Sequence, residues 1–238
     1  MSKLSLFFAA AILPLAACHK PETAKPTAPV ATPPAAAPTV AEEPWIPASG
    51  MGDWKVVETG TQGEVSVKDS VFILGQGDGI TGVHYEGTRD LPVVDYEIAW
   101  DGMKLSGVDF FAAATFPVRD KTTCATFING GWGGGVTGIS CFDGMAANEN
   151  NTTSYQQYED NKWYRFRVQI TADMLVAYVD EKKVVSANIK NRKVSLRPGE
   201  IEGCAPLGFA SWQTKGAVRH LVIRKLKPGE VPVDPDAY

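Results

Sequence analysis

Cysteine and histidine are scarce in this chain of 238 residues, at four and three copies. No Cys-x-x-Cys pair or mixed Cys/His spacing occurs, which excludes a structural zinc site. The histidines fall at 19, 84 and 220. His19 lies in a proline-rich stretch, so too few remain for a three-histidine metal centre. Positive charge is also short: 23 Lys and Arg stand against 27 Asp and Glu, a net charge of −4, with no basic stripe. Nucleic acid is thereby excluded as a partner. No apolar run reaches the ~18 residues of a transmembrane helix, and no amphipathic stretch persists for three helical turns. The glycine cluster around Trp132 is not followed by Lys-Ser or Lys-Thr, so it is no phosphate-binding P-loop.

What is present begins at the N-terminus. Lys3 precedes an uncharged apolar run from Leu4 to Ala17, ending Leu15-Ala16-Ala17-Cys18. A basic residue, a short apolar segment and small residues before a cleavage point make a secretory signal. The small-small-Cys ending resembles the lipobox of bacterial lipoproteins. That resemblance implies cleavage before Cys18 and lipidation of its sulfur and its new amine. With His19 rather than Asp next, it also implies delivery to the outer membrane. The alternative is an ordinary signal peptide with Cys18 incidental. On the lipidated reading the membrane is reached through the lipid anchor only, at about 0.8 kcal/mol per buried methylene.

Residues 19–48 hold half of the 16 prolines, interleaved with Ala and Thr. Such a composition cannot bury a core and suits an extended spacer. The expected organisation is a signal peptide over 1–17, a lipidated cysteine and tether over 18–49, a folded domain over 50–228 and a tail over 229–238. Setting Cys18 aside leaves Cys124, Cys141 and Cys204, an odd number for an oxidising compartment. Cys124 and Cys141 flank a glycine turn almost symmetrically, so a hairpin closed near Trp132-Gly133 pairs them in a disulfide. A one-residue slip instead puts them on opposite faces, leaving buried thiols.

From Trp54 the texture becomes short strands separated by turns. Tyr96, Ile98 and Trp100 alternate with Glu97, Ala99 and Asp101. Tyr164, Phe166, Val168 and Ile170 alternate with Arg165, Arg167 and Gln169. Strands are also expected around 65–68, 70–74, 82–86, 110–116, 123–129, 136–142, 174–179, 183–187, 207–213 and 218–226. This period-2 pattern at regular spacing predicts an all-β sandwich.

The order of several motifs is distinctive: Gly130-Gly-Trp-Gly-Gly-Gly135, Phe142-Asp-Gly-Met145, Glu149-Asn-Asn-Thr-Thr153, Asn161-Lys-Trp-Tyr-Arg-Phe-Arg-Val168, Pro206-Leu-Gly-Phe-Ala-Ser-Trp-Gln213 and Val218-Arg-His-Leu-Val-Ile-Arg-Lys-Leu226. Over roughly residues 54–226 they resemble the bacterial family of 3-keto-disaccharide hydrolases. The resemblance implies a concanavalin A-like jelly roll of two antiparallel sheets. It also implies carbohydrate as substrate or ligand outside the cytoplasm. Fold travels with such a match better than activity does.

Cleavage of a 3-keto-glycoside asks for a base that removes the proton at C2, a group that stabilises the enolate oxygen, and a platform for the ring. Asp109, Asp143 and Glu149 are the candidate acids. Asp109 opens the strand predicted at Asp109-Phe-Phe111. Asp143 precedes Gly144 and can equally bond its own turn. Glu149 lies in the polar loop 148–153, whose oxygen atoms also suit a divalent cation such as calcium, outside the twelve-residue EF-hand pattern. Trp132, isolated among glycines, can stack on the C–H face of a sugar or fold down to cap its hairpin. Asn129, Asn148, Trp212 and Gln213 complete the candidate binding set, core packing being the first reading of Trp212 and stacking the alternative. His84 and His220 sit in predicted strands and suit structural roles. Arg165, Arg167 and Gln169 share one face, either solvated or lining a binding surface. Three functions follow: 3-keto-glycoside cleavage, a non-catalytic lectin-like module, and a structural envelope domain. The first two require the Gly/Trp hairpin and the 148–153 loop to meet over one groove.

Overall fold

The computed structural model describes residues 43–230 and 232. The signal peptide, Cys18, His19, the tether as far as residue 42, and residues 231 and 233–238 of the tail lie outside the described residues.

In chain order the strands are β1 (Trp54–Val56), β2 (Val65–Lys68), β3 (Val71–Leu74), β4 (Ile80–Tyr85), β5 (Tyr96–Gly107), β6 (Ala113–Val118) and β7 (Asp120–Gly130). They continue as β8 (Val136–Ser140), β9 (Ser154–Tyr155), β10 (Trp163–Ile170), β11 (Met174–Val179), β12 (Lys182–Asn188), β13 (Gly208–Trp212) and β14 (Thr214–Lys225). Two seven-stranded sheets result, ordered β1-β4-β13-β6-β7-β8-β9 and β12-β11-β10-β5-β14-β3-β2. Neighbouring strands are antiparallel throughout. The expected all-β sandwich of two antiparallel sheets is the observed architecture.

Alternation decides the layers. In the β10–β5 pair, Phe166 lies opposite Trp100 and Val168 opposite Ile98, all buried. On the other face of the same pair, Arg165 lies opposite Asp101 and Gln169 opposite Glu97. The first sheet presents Phe116, Ala125, Phe127, Ile139 and Phe209 to the same core. Trp100 donates its indole N–H to the Ala112 carbonyl at 3.0 Å, so this large core side chain leaves no polar atom unpaired. Residues 43–49 belong to this folded unit: Ile46 is buried in the core, and Trp54 donates its indole N–H to the Trp45 carbonyl at 2.8 Å.

The hairpin joining β7 to β8 pairs Thr126 with Ser140 and Ile128 with Gly138. It therefore closes at Gly133, one step from the symmetry that would oppose Cys124 and Cys141. That slip sends the two side chains to opposite faces, and Cys124, Cys141 and Cys204 are free, buried thiols. The disulfide expected between the first two is not formed.

One connection crosses the outer face of the first sheet. Residues 195–206 leave a two-way backbone pairing between Cys141 and Ser195 and pass through a 3-10 turn at Glu200–Cys204. This strap lies so close that a Cβ on Gly208 would stand 2.4 Å from the Cys204 carbonyl oxygen. Only glycine fits there.

Candidate functional site

Between the strap and the loops at one end of the first sheet lies a cavity of about 490 Å³. Ile80, Thr126, Ile128 and Ser140 line it from the sheet, Asp109, Phe110 and Trp132 from the loop side together with Trp212 at the end of β13, and Arg197 to Ile201 from the strap. Since β4, β13, β6, β7 and β8 are successive neighbours, the cavity is a trench running across the strands. Its floor carries two hydroxyls and short apolar groups, and its loop wall carries three aromatic rings.

The loop wall is built around Trp132, which holds a left-handed conformation (φ 50°, ψ 54°) in the tight turn Gly131–Gly134. That conformation costs a non-glycine residue about 1–2 kcal/mol. Asp109 helps to hold it: one carboxylate oxygen accepts the Gly133 N–H at 3.1 Å and the other the Phe110 N–H at 2.8 Å. The Asp109 N–H is itself accepted by the Thr214 hydroxyl at 2.9 Å. The Trp132 side chain keeps 39% of its surface exposed. It meets the strap through Arg197, whose guanidinium lies 5.7 Å from the ring centroid. This is near the outer limit of a cation–π contact, worth about 0.5–1 kcal/mol at an exposed site. Among the described residues Arg197 makes no ion pair, so its donors remain free for a ligand. Glu200, on the same strap, is committed: it accepts the Ile80 N–H at 2.9 Å and the Thr61 hydroxyl at 3.3 Å.

The structure brings Asp109, Trp132 and Trp212 to one trench and leaves the other candidates elsewhere. Asp143 pairs with Arg192 at 2.9 Å and accepts the Lys193 N–H at 2.9 Å, and these bonds hold its carboxyl below the ordinary aspartate range. It braces its own turn. Glu149 accepts the Ala146 N–H at 3.3 Å and does not line the trench. Asn129 is fully buried, closing both ends of its amide on the Ala112 backbone at 3.1 and 2.8 Å. It stands in for a missing ladder bond inside the sandwich. Gln213 donates to the Asp78 carbonyl at 2.9 Å, outside the trench lining. Asn148 also lies off the trench lining, with its side-chain oxygen buried and unpartnered.

The groove expected between the Gly/Trp hairpin and the 148–153 loop is not formed as such: no residue of that loop lines the trench, and the 195–206 strap supplies the wall expected of it. Asn150 and Thr152 bond the backbone of residues 139–146 and each other, and Ala147 packs with Ile128 and Val136 on the trench face, beside the cavity. Its oxygen donors are thus largely used within the loop. Among the described residues no three His, Cys, Asp or Glu side chains converge as a metal's ligand set.

The face shared by Arg165, Arg167 and Gln169 is the outer face of the second sheet. Glu97, nearly buried, is clasped by Arg167 and Arg224 at 3.0 Å each and by Gln169 at 3.1 Å. Asp101 is bound by His220 at 2.8 Å, Arg165 at 3.0 Å and Arg219 at 3.2 Å. Burial pushes the Asp101 carboxyl up, but those three partners outweigh it and leave the group below its ordinary value. His84, on the first sheet, bonds Glu86 at 3.0 Å and is not part of the trench.

Phe110, Thr126, Ser140, Arg197 and Glu200 all line the trench and escape a reading of the sequence. Arg197 and Glu200 belong to the Arg197-Pro198-Gly199-Glu200 turn, which has no local mark of a site and lies some sixty residues from the hairpin it faces.

No family model matches the chain, and no curated protein matches it in sequence. Solved structures do. The carbohydrate-binding module CBM66 from Bacillus subtilis is 16% identical, with 73% of this chain and 96% of that one covered, at a TM-score of 0.46. The carbohydrate recognition domain of Emp46p is 11% identical, over 74% of this chain and 89% of that one, at a TM-score of 0.49. Domain 4 of the extracellular arabinanase AbnA from Geobacillus stearothermophilus, solved with arabinotriose, is 12% identical, over 74% and 85%, at 0.44. At this similarity the matches assign neither family nor ligand.

Proposed function

We propose that the trench binds carbohydrate and that the domain is a glycan-binding module. The observation that carries this is the pairing of aromatic surface, exposed at Trp132 and half-buried at Trp212 and Phe110, with the unpaired guanidinium of Arg197 in one open cavity, whose floor hydroxyls Thr126 and Ser140 are held by Thr115 and Cys141. A pyranose or furanose ring needs both: an apolar C–H face to lay on a ring and hydroxyls to bond around its edge. The test is a glycan array followed by calorimetry on the hits, for wild type and for Trp132→Ala. Retained binding by Trp132→Ala, or no glycan bound by the wild type, refutes the proposal.

A second reading is cleavage of 3-keto-glycosides, favoured by Asp109 and Arg197 lining the same cavity. Asp109 would take the C2 proton and Arg197 would stabilise the enolate oxygen. Both Asp109 oxygens already accept backbone N–H groups, which ranks catalysis behind binding. Incubation with 3-keto-trehalose or 3-keto-glucosides, with and without divalent metal, decides it. Sugar release that is lost in Asp109→Asn supports catalysis.

The proposed location is the outer membrane, through lipid on Cys18. Incorporation of a palmitate analogue, abolished by Cys18→Ser, is the expected result.

A further inference from the structure

The trench does not end at the Gly/Trp turn. Tyr155, on the edge strand β9, lies directly opposite Val136 of β8. Residues directly opposite in an antiparallel pair share a face. Val136 packs with Ile128, Ala113 and Phe110, the groups that back and line the trench, so Tyr155 stands on the trench face. Its ring reaches the hairpin: a Cβ on Gly135 would lie 4.0 Å from Tyr155 Cδ1. Yet 75% of Tyr155 is exposed, the largest exposure of any aromatic side chain among the described residues. No described protein group bonds its hydroxyl.

With Tyr155 included, apolar surface recurs along the sheet at Trp212 on β13, Phe110 before β6, Ile128 on β7, Trp132 in the β7–β8 turn and Tyr155 on β9. Phe110 and Trp212 are linked by a backbone bond, the Trp212 N–H to the Phe110 carbonyl at 3.0 Å. From β13 to β9 there are four interstrand steps, about 19 Å at the usual strand spacing. A single sugar ring would leave most of that track bare.

We infer that the site takes an extended oligosaccharide laid across the strands, with Tyr155 as an outer stacking platform beyond the cavity. The inference rests on the carbohydrate reading of the trench and adds the length of the ligand and a residue that meets it. Stacking on one more ring is worth about tenfold in affinity.

The experiment is calorimetry on the full chain with gluco-, arabino- and manno-oligosaccharides of one to six units, against wild type, Tyr155→Ala and Tyr155→Phe. The expected result is affinity that climbs about tenfold or more from the disaccharide to the tetrasaccharide. Tyr155→Ala should remove that gain and leave disaccharide binding unchanged, while Tyr155→Phe keeps it, because the ring and not the hydroxyl makes the platform. Affinity that is flat with length, or a gain that survives Tyr155→Ala, overturns the track and leaves the trench reading standing. Absence of binding in every series, by a wild type that also fails on the glycan array, overturns both. Far-ultraviolet circular dichroism accompanies each titration, and a variant that has lost the sandwich signal overturns the assignment of Tyr155 as a surface platform.

Discussion

Replacing Asp109 by Asn tests whether one carboxylate holds the aromatic wall in place. The new amide can still offer an oxygen to the Phe110 N–H, but its NH₂ then faces the Gly133 N–H, a donor against a donor. Bonds to a charged group contribute about 1.5–3 kcal/mol. The Gly133 end is exposed, so the lower figure applies, and ~1.5 kcal/mol corresponds to about a tenfold shift in the opening of the turn. Hydrogen exchange should report this directly: the Gly133 amide exchanges about tenfold faster in Asp109→Asn, while amides of β7 and β8 keep their protection. Because Trp132 rides on the same turn, glycan affinity falls by up to about tenfold. A true base in catalysis behaves otherwise, losing about 10²–10⁴ in turnover with substrate binding little changed. Unchanged exchange at Gly133 would refute the role given to the carboxylate. Loss of more than ~3 kcal/mol in global stability would refute it too, since Asp109 would then be supporting the sandwich and not the turn.

Three further outcomes follow from the structure. Glu97→Ala removes the carboxylate shared by Arg167 and Arg224, which keep Glu181 and Glu230, and should cost about 1.5–3 kcal/mol in urea unfolding; a loss under ~1 kcal/mol would contradict the clasp. Burial pushes the Cys204 thiol up to about 12 from 9.0, so above pH 9 the unfolded thiol ionises while the folded one does not. Stability should therefore fall between pH 9 and 12, by up to ~1.4 kcal/mol per pH unit for this group, a slope that Cys204→Ala lessens. Asp101, held below 3.8 by His220, Arg165 and Arg219, contributes stability that is present above that value and lost as pH falls through its lowered one. Thermal melts of Asp101→Asn should accordingly be less sensitive to acid than wild type.

The layers of the fold are legible because alternation is a direct record of burial. Tyr164, Phe166, Val168 and Ile170 all face the core, and the expected strands have observed counterparts, except that Asp109-Phe-Phe111 is a loop and β6 begins only at Ala113. Asn129 was readable by the same rule: it shares parity with Ala125 and Phe127 and so points inward, although its place beside a glycine loop suggests a donor at the rim. The face of Arg165 and Arg167 was not readable. A polar face tells that it is not core, but not which of two sheets it belongs to or whether acids wait opposite. Arg197 was hidden for a different reason. Its partner Trp132 is distant in sequence, and strap residues carry no periodicity to betray what they cross. The one-residue register of the β7–β8 hairpin, which separates Cys124 from Cys141, depends on the left-handed turn at Trp132 and Gly133. Gly-rich sequence permits several such turns.

The arginine-and-acid lattice on the second sheet has a practical corollary. Its carboxylates are already saturated by neighbours, so that side has little to offer a neutral glycan. On the carbohydrate proposal the trench is the working front and this face the back. A probe or solid support attached at an exposed back-side position such as Lys183 would hold the protein with its trench turned outward. Sensors and affinity resins could be built from it with the proposed site unobstructed.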